Sequence, residues 1–214
     1  MKKICILLLF LCVAYSTSAR KIPGYIITAE GQKTEVILKV PFMLFGQPNF
    51  ERLQRKVRYY DTNNKRQVLR PSQAHEISFS YKDKTYRMLS RQFDNPLAKL
   101  FTRDGYFFLH LVKDGKLKLF RYYETRRSGG SMGRTGVSGM NSMGMSSHGT
   151  TYSVQKYLLQ KNDEPLFRTN FLTFKKDMAE YLKECEDVVK KINDKEYRNR
   201  DMEELVEEYN TKCN

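Results

Sequence analysis

Short runs of alternating apolar and polar positions, separated by turn residues, fill most of residues 20–170. An alternation with a period of two is typical of β-strands that have one buried and one exposed side. The clearest case joins residues 106–112 to residues 117–126 through Asp114-Gly115, a pair that favours a hairpin because its turn needs positive φ. The same pattern predicts further strands at residues 24–28, 35–42, 56–61, 67–69, 76–81, 85–89 and 152–159.

Residues 128–150 break this pattern, since they consist mostly of Gly, Ser, Met and Thr. A segment of this composition cannot bury enough apolar surface to order itself, which predicts a flexible loop between two neighbouring strands. Deleting the loop is expected to leave the fold intact, and a deletion variant that no longer folds would contradict this expectation.

After Phe174 the period of the apolar positions changes to about 3.6, which indicates helices. The first predicted helix has an apolar stripe made of Phe174, Met178, Leu182, Cys185, Val189 and Ile192. The second has Asn199 or Asp201 as its N-cap and turns Met202, Leu205, Val206 and Tyr209 inward. Two helices joined by a short loop pack antiparallel, which predicts a helical hairpin over residues 171–214.

The fold class expected from these patterns is α+β. Residues 20–170 are predicted to form a mostly antiparallel β domain, arranged as a partly open barrel or a sandwich, with the flexible loop at residues 128–150. The C-terminal helical hairpin of residues 171–214 follows it and packs against it.

The first 19 residues have the pattern of a secretory signal peptide. Lys2 and Lys3 precede an apolar run over residues 4–14, and Thr17 and Ala19 supply the small residues of a cleavage site after Ala19. The apolar run is shorter than the roughly 20 residues that span a bilayer. We therefore predict an exported protein, with a retained N-terminal anchor as the alternative.

The formal net charge of the chain is +14, and loss of the signal peptide lowers it to about +12. Outside the cytoplasm such a charge favours contact with anionic lipid head groups, lipopolysaccharide, acidic glycans or an envelope protein. The alternative is a solvated basic surface without a specific partner. Aromatic and basic residues also interleave at residues 59–60, 87 and 121–123, a pattern typical of strands with one wet face. A nucleic-acid platform has a similar pattern, but export disfavours it, so no nucleic acid is expected.

Cys185 and Cys213 remain after the signal peptide is removed, and two cysteines in an exported protein predict one disulfide. If the two helices pair about residue 197, Cys213 lies roughly one turn past the position opposite Cys185. The bond then requires the last turn to fray. Two buried thiols are the alternative.

Four methionines and one histidine of the Gly-rich segment could bind a soft metal ion. They are Met132, Met140, Met143, Met145 and His148. Thioether and imidazole groups suit Cu(I), so copper handling is one hypothesis for this segment. The alternative is a low-complexity linker, and no cofactor is expected.

Patterns typical of catalytic sites are largely missing from the sequence. His75, His110 and His148 are far apart, so no His-Glu-x-x-His pair exists, and residues 136–139 fall one position short of a nucleophile elbow. Carboxylate pairs of the glycosidase type meet only in the fold and stay open. No catalytic residue is therefore predicted, and an unrecognised hydrolase ranks behind binding and copper handling.

Both ends of the chain resemble small exported proteins of unknown function from Bacteroidota. The residues that carry the resemblance are Gly24–Thr28, Arg70-Pro71, Met178, Tyr181, Cys185, Val189, Ile192, Tyr197, Asp201, Met202, Val206 and Tyr209-Asn210. The resemblance implies a location in the periplasm or at the outer-membrane periphery of a Gram-negative bacterium, and a β domain followed by a helical tail. It implies no catalytic residues. The function expected is that of a non-catalytic binding or structural protein of the cell envelope.

Overall fold

The computed structural model of this chain describes residues 19–43, 46–93, 104–127, 151–162, 164–170 and 172–213. Within these ranges nine strands form one sheet in which all neighbouring strands are antiparallel. The strands are β1 (Arg20–Thr28), β2 (Lys33–Val40), β3 (Val57–Tyr60), β4 (Arg66–Leu69), β5 (Ala74–Tyr81), β6 (Lys84–Gln92), β7 (Tyr106–Lys113), β8 (Leu117–Arg127) and β9 (Thr151–Lys161). The α+β class with a mostly antiparallel sheet is confirmed.

The order of the strands across the sheet is β4-β3-β2-β1-β5-β6-β7-β8-β9. Strands β1 to β4 form one meander and strands β5 to β9 form a second, and the two meet where β1 pairs with β5. Gly24 lies at this junction, where an added Cβ would lie 2.3 Å from the carbonyl oxygen of Ser78, so the close approach requires glycine. β4 and β9 are the two edges of a sheet that is not closed, and its arrangement as a barrel or a sandwich stays a prediction.

The two faces of the sheet have different surroundings. On the inner face, residues of both meanders are buried, among them Ile22, Leu38, Ile77, Met88, Phe108, Leu119 and Leu159. The outer face is apolar over β6 to β9, where it carries Leu89, Phe107, Leu109, Phe120 and Leu158. Over β1 to β4 the outer face lies in solvent. This division leaves one four-stranded surface of the sheet exposed.

A short helix that the sequence did not predict, α1 (Phe50–Leu53), packs on the inner face. Asn49 caps it, because the side-chain oxygen accepts a hydrogen bond from the N–H of Arg52. Gln54 follows the helix, is only 1% exposed, and lies where β7 and β8 separate. Its side chain donates to the oxygen of Tyr123 at 2.5 Å and accepts from the nitrogen of Tyr123 at 3.0 Å. The N–H of Phe108 donates to the oxygen of Gln54 at 3.0 Å, so Gln54 joins the two strands.

The C-terminal segment contains three helices where the sequence predicted two. They are α2 (Phe174–Tyr181), α3 (Glu186–Asn193) and α4 (Met202–Lys212). The Lys161 side chain donates to the carbonyl oxygen of Tyr181 at 2.7 Å, which stabilises the end of α2. Because the helix is interrupted between Tyr181 and Glu186, different positions of α3 face the core. Val188 is fully buried, whereas the sequence predicted Val189 at this place. None of the helices in the described ranges is long and apolar enough to cross a membrane.

The helices bury one face against β8 and β9. Their core contains Met178, Leu182, Val188, Ile192, Leu205, Val206 and Tyr209, packed on Leu117, Leu119 and Leu159 of the sheet. Cys185 precedes α3 and Cys213 follows α4, with their Cα atoms 5.8 Å apart, a separation that a disulfide permits, and the structure joins them. Helix α4 ends at Lys212, so Cys213 reaches its partner from a non-helical position.

Candidate anion-binding face

The exposed outer face of β1 to β4 carries five cations, which we call the cationic face. They are Lys21 on β1, Lys33 and Lys39 on β2, Arg58 on β3, and Arg66 on β4. Glu35 is the one acidic residue that these strands place on the same face. The surface is therefore strongly positive.

The register of the strands follows from their buried residues. Ile22, Val36, Leu38, Val57 and Leu69 are all less than 9% exposed and point to the inner face. Because side chains alternate along a strand, the residues between them must point outward. Sliding any strand by one residue would bury a cation and expose an aliphatic side chain. The same hydrophobic burial that stabilises the sheet thus presents the cations to solvent.

Three of the cations are direct neighbours across the strands. Lys21 is paired with Lys39 in the β1–β2 ladder, and Lys39 is paired with Arg58 in the β2–β3 ladder. Like charges that lie directly opposite each other destabilise a sheet. Lys39 is half-buried, and Lys21 and Arg58 are exposed. This row costs stability, and folding alone gives no reason for it.

The row has no acidic partners in the part of the chain that the structure describes. None of the ion pairs formed there includes Lys21, Lys39, Arg58 or Arg66. The contact of Lys21 is aromatic, since its ammonium lies 4.2 Å from the centre of the Tyr60 ring. Such a contact stabilises the cation without neutralising it. The positive charge of the row is available to an external anion.

Several cations on or near the C-terminal helices do have acidic partners. Helix α4 places Glu203 against Arg121 and Glu207 against Lys113, and the turn between α2 and α3 places Glu184 against Lys161. Glu208 accepts hydrogen bonds from Lys191 at 2.8 Å and Lys212 at 2.6 Å and from the Tyr197 hydroxyl, and these lower its pKa to about 2. These four acids of the C-terminal segment are therefore already paired within the protein.

Apolar and aromatic side chains lie next to the three cations. Ile37 and Tyr60 are paired across β2 and β3, and Val68 on β4 is paired with Arg58. Ile37 is 38% exposed and Val68 is 51% exposed, values high for aliphatic residues in a sheet. The cationic face therefore combines charge with solvent-exposed apolar surface.

A second polar cluster, which we call the polar seam, lies on the inner face between α1 and α4. The ring of His110 stacks on Phe50 with centroids 4.3 Å apart, and its Nδ1 shares a hydrogen bond of 3.3 Å with the Tyr123 hydroxyl. Burial, and secondarily the nearby Arg121 guanidinium, lower the pKa of His110 to about 4. Glu203 binds Arg121 and accepts from the Tyr157 hydroxyl at 3.0 Å. The seam attaches α4 to the sheet and keeps His110 neutral near pH 7.

The interleaved aromatic and basic residues of the sequence take several different positions. Tyr59 packs in the inner core, while Tyr60 lies on the cationic face. The Arg87 guanidinium donates to both carboxylate oxygens of the buried Glu76 at 2.8 Å and also donates to Asp114. These hydrogen bonds raise the pKa of Arg87. Arg121 belongs to the polar seam. Of the three positions, only the first contributes to the candidate site, and it does so through Tyr60.

The proposed metal ligands lie outside the described residues. These are Met132, Met140, Met143, Met145 and His148. Residues 1–18 of the predicted signal peptide, which comprises residues 1–19, also lie outside the described residues. Among the residues that are described, no group of three or more His, Cys, Asp or Glu side chains is placed to hold a metal ion. Copper handling by the methionines therefore stays a prediction, tested by copper co-purification and by substitution of all four methionines.

The chain matches no protein-family model, no curated protein and no solved structure.

Proposed function

We propose that the protein is an exported, non-catalytic component of a Gram-negative cell envelope that binds an anionic envelope component through the cationic face. The row of Lys21, Lys39 and Arg58 carries this proposal. Three unpaired cations side by side lower the stability of the sheet, and an anionic ligand would offset that cost. The signal-peptide pattern of the first 19 residues supports export, and the resemblance to exported Bacteroidota proteins supports the envelope setting.

The protein fold supplies a rigid platform for such binding. Each cation of the row has at least one buried neighbour on its own strand, Ile22 for Lys21, Leu38 for Lys39 and Val57 for Arg58, so the backbone that carries it is held in register. Cations near an anionic surface contribute about 1 kcal/mol each to binding. Three of them would contribute about a hundredfold in affinity at moderate salt. The attraction should weaken as salt is added, because Lys21 and Arg58 are exposed and Lys39 is partly exposed.

The test compares two triple variants of the exported form, residues 20–214. In the first, Lys21, Lys39 and Arg58 are all replaced by Gln. In the control, Lys175, Lys176 and Lys190 of the helices, which are also exposed, are replaced by Gln, so that both variants lose the same charge. Affinity is measured for phosphatidylglycerol vesicles and for soluble dextran sulfate at several salt concentrations.

The proposal predicts that the first variant loses about a hundredfold in affinity for at least one of the two anions. The control should lose much less. Equal losses in both variants would mean that net charge alone drives binding, and the cationic face would then have no special role. Failure of the wild type to bind either anion would contradict the proposal directly.

A further inference from the structure

Resting on this proposed function, we infer that the anionic partner is a lipid surface, and that the cationic face docks flat on an anionic phospholipid leaflet. Docking on a lipid surface gives a role to the exposed aliphatic side chains among the cations, which attraction between charges does not explain. Ile37 is 38% exposed and Val68 is 51% exposed. A soluble polyanion offers these side chains no apolar environment, whereas the boundary between head groups and acyl chains does.

The arrangement of the residues on the strands supports a planar partner. One row across the strands is Lys21, Lys39, Arg58 and Val68, and the next row includes Ile37, Tyr60 and Arg66. Neighbouring strands are about 4.8 Å apart, so each row extends over roughly 15 Å. Successive rows are about 7 Å apart along the strands. Cations, aliphatic side chains and a tyrosine therefore share one surface, and each can meet the same plane.

The chemistry of each side chain suits a different depth of the leaflet. The Lys and Arg side chains have apolar stems and charged ends that reach phosphate groups. Tyrosine is enriched at membrane interfaces because its ring is apolar and its hydroxyl is polar. Ile37 lies beside both kinds of residue, since Tyr60 is its cross-strand partner and Lys39 is two residues away on the same strand. Its insertion would bury apolar surface that the free protein exposes to water.

One experiment separates the apolar contribution from the charge. A variant with Ile37→Ser and Val68→Ser keeps every cation, and Leu172→Ser is the control because Leu172 is an aliphatic residue 86% exposed away from the sheet. Affinities are measured for phosphatidylglycerol vesicles and for dextran sulfate. We expect the double variant to lose about tenfold in affinity for vesicles and nothing for dextran sulfate. The control should bind both as the wild type does.

A second measurement detects insertion without relying on affinity. The chain contains no tryptophan, so Val68→Trp and Leu172→Trp each create a single fluorescent reporter. The account predicts a blue shift of Val68→Trp emission on phosphatidylglycerol vesicles and no shift on dextran sulfate. Leu172→Trp should shift on neither. Absence of the shift in Val68→Trp, when vesicles are bound, would overturn the inference.

The failure of the inference is distinguishable from failure of the proposed function. If the Ser double variant binds vesicles within twofold of the wild type, or weakens equally for both anions, the lipid inference is wrong. In that case charge-dependent binding of dextran sulfate by the Lys21, Lys39 and Arg58 row would still support the proposed function. If the variant with Lys21, Lys39 and Arg58 replaced by Gln binds vesicles and dextran sulfate as the wild type does, both the proposed function and the lipid inference are wrong.

Discussion

Replacement of Lys39 by Glu should make the protein more stable and weaken its binding of anions. Lys39 lies directly opposite Lys21 on one side and Arg58 on the other. The substitution turns two repulsive cross-strand pairs into two attractive ones. Each such pair contributes roughly 0.2–1 kcal/mol. Because the side chains are largely exposed and screened, we expect a gain of about 1 kcal/mol in the free energy of unfolding.

Urea unfolding of residues 20–214 at low salt measures this gain, with Lys39→Gln as an intermediate case. Lys39→Gln removes the repulsion without adding attraction, so its stability should lie between those of the wild type and Lys39→Glu. In 1 M salt the Debye length falls to about 3 Å, and the three proteins should converge. Lys33→Glu is the control on the same strand. Its cross-strand partner is Ile27, and it loses the contact with the Tyr25 ring, so no gain is expected.

The reasoning would be refuted if Lys39→Glu were less stable than the wild type at low salt. A gain that persisted unchanged in 1 M salt would refute the electrostatic explanation as well. The same variant should bind phosphatidylglycerol vesicles at least tenfold more weakly, since an anion now interrupts the row. Opposite signs for stability and binding would show that the row is retained for binding.

Three further substitutions test the fold. Gln54→Ala leaves two buried backbone groups of Tyr123 without partners and should lower the free energy of unfolding by about 2–5 kcal/mol. The control Gln155→Ala, at an exposed position, should change the free energy of unfolding by less than about 0.5 kcal/mol. Similar urea midpoints for the two variants would disprove the role of Gln54. The folded-state pKa of His110, about 4, lies below its ordinary value, so wild-type stability should fall by about 3 kcal/mol as pH drops from 6.5 through 4. His110→Phe should flatten that part of the stability curve, and an unchanged curve would contradict the assignment. Replacing both Cys185 and Cys213 by Ser should lower the free energy of unfolding by about 3–4 kcal/mol and abolish any effect of dithiothreitol on the unfolding midpoint. If dithiothreitol did not change the unfolding midpoint of the wild type, the two cysteines would be free thiols.

The strands could be predicted from the sequence because alternation is a local signal. All nine strands of the described residues overlap a predicted run, including the hairpin at Asp114-Gly115. Local signals do not specify which strands from distant parts of the chain become neighbours. The pairing of β1 with β5 depends on contacts such as that of Gly24 with Ser78, which no alternation pattern contains.

The elements missed by the sequence pattern depend on tertiary contacts. Helix α1 has only four residues, too few to show a helical period, and Gln54 gains its role only from the separation of β7 and β8. The break after Tyr181 is stabilised by Lys161, twenty residues earlier in the chain. An unbroken apolar stripe favours one continuous helix, so the pattern could not indicate the break.

The cationic face was only partly accessible to prediction. The net charge of +14 indicated an anionic partner, but it gave no location. The hairpin of β1 and β2 places Lys21 near Lys39 once its register is known, yet Arg58 joins the row only through the pairing of β2 with β3. A sequence signal did exist for residues 59–60, where aromatic and basic residues interleave. Because side chains alternate along β3, Tyr59 packs in the inner core and Tyr60 lies on the cationic face.

The most direct test of the central claim is the reactivity of individual lysines toward acetylation, measured by mass spectrometry with and without phosphatidylglycerol vesicles. Lys21 and Lys39 lie in the cationic row, and Lys175 and Lys190 lie on exposed parts of the helices. The account predicts that the vesicles slow acetylation of Lys21 and Lys39 and leave Lys175 and Lys190 unchanged. Equal protection of all four lysines, or protection of the helical lysines alone, would contradict it.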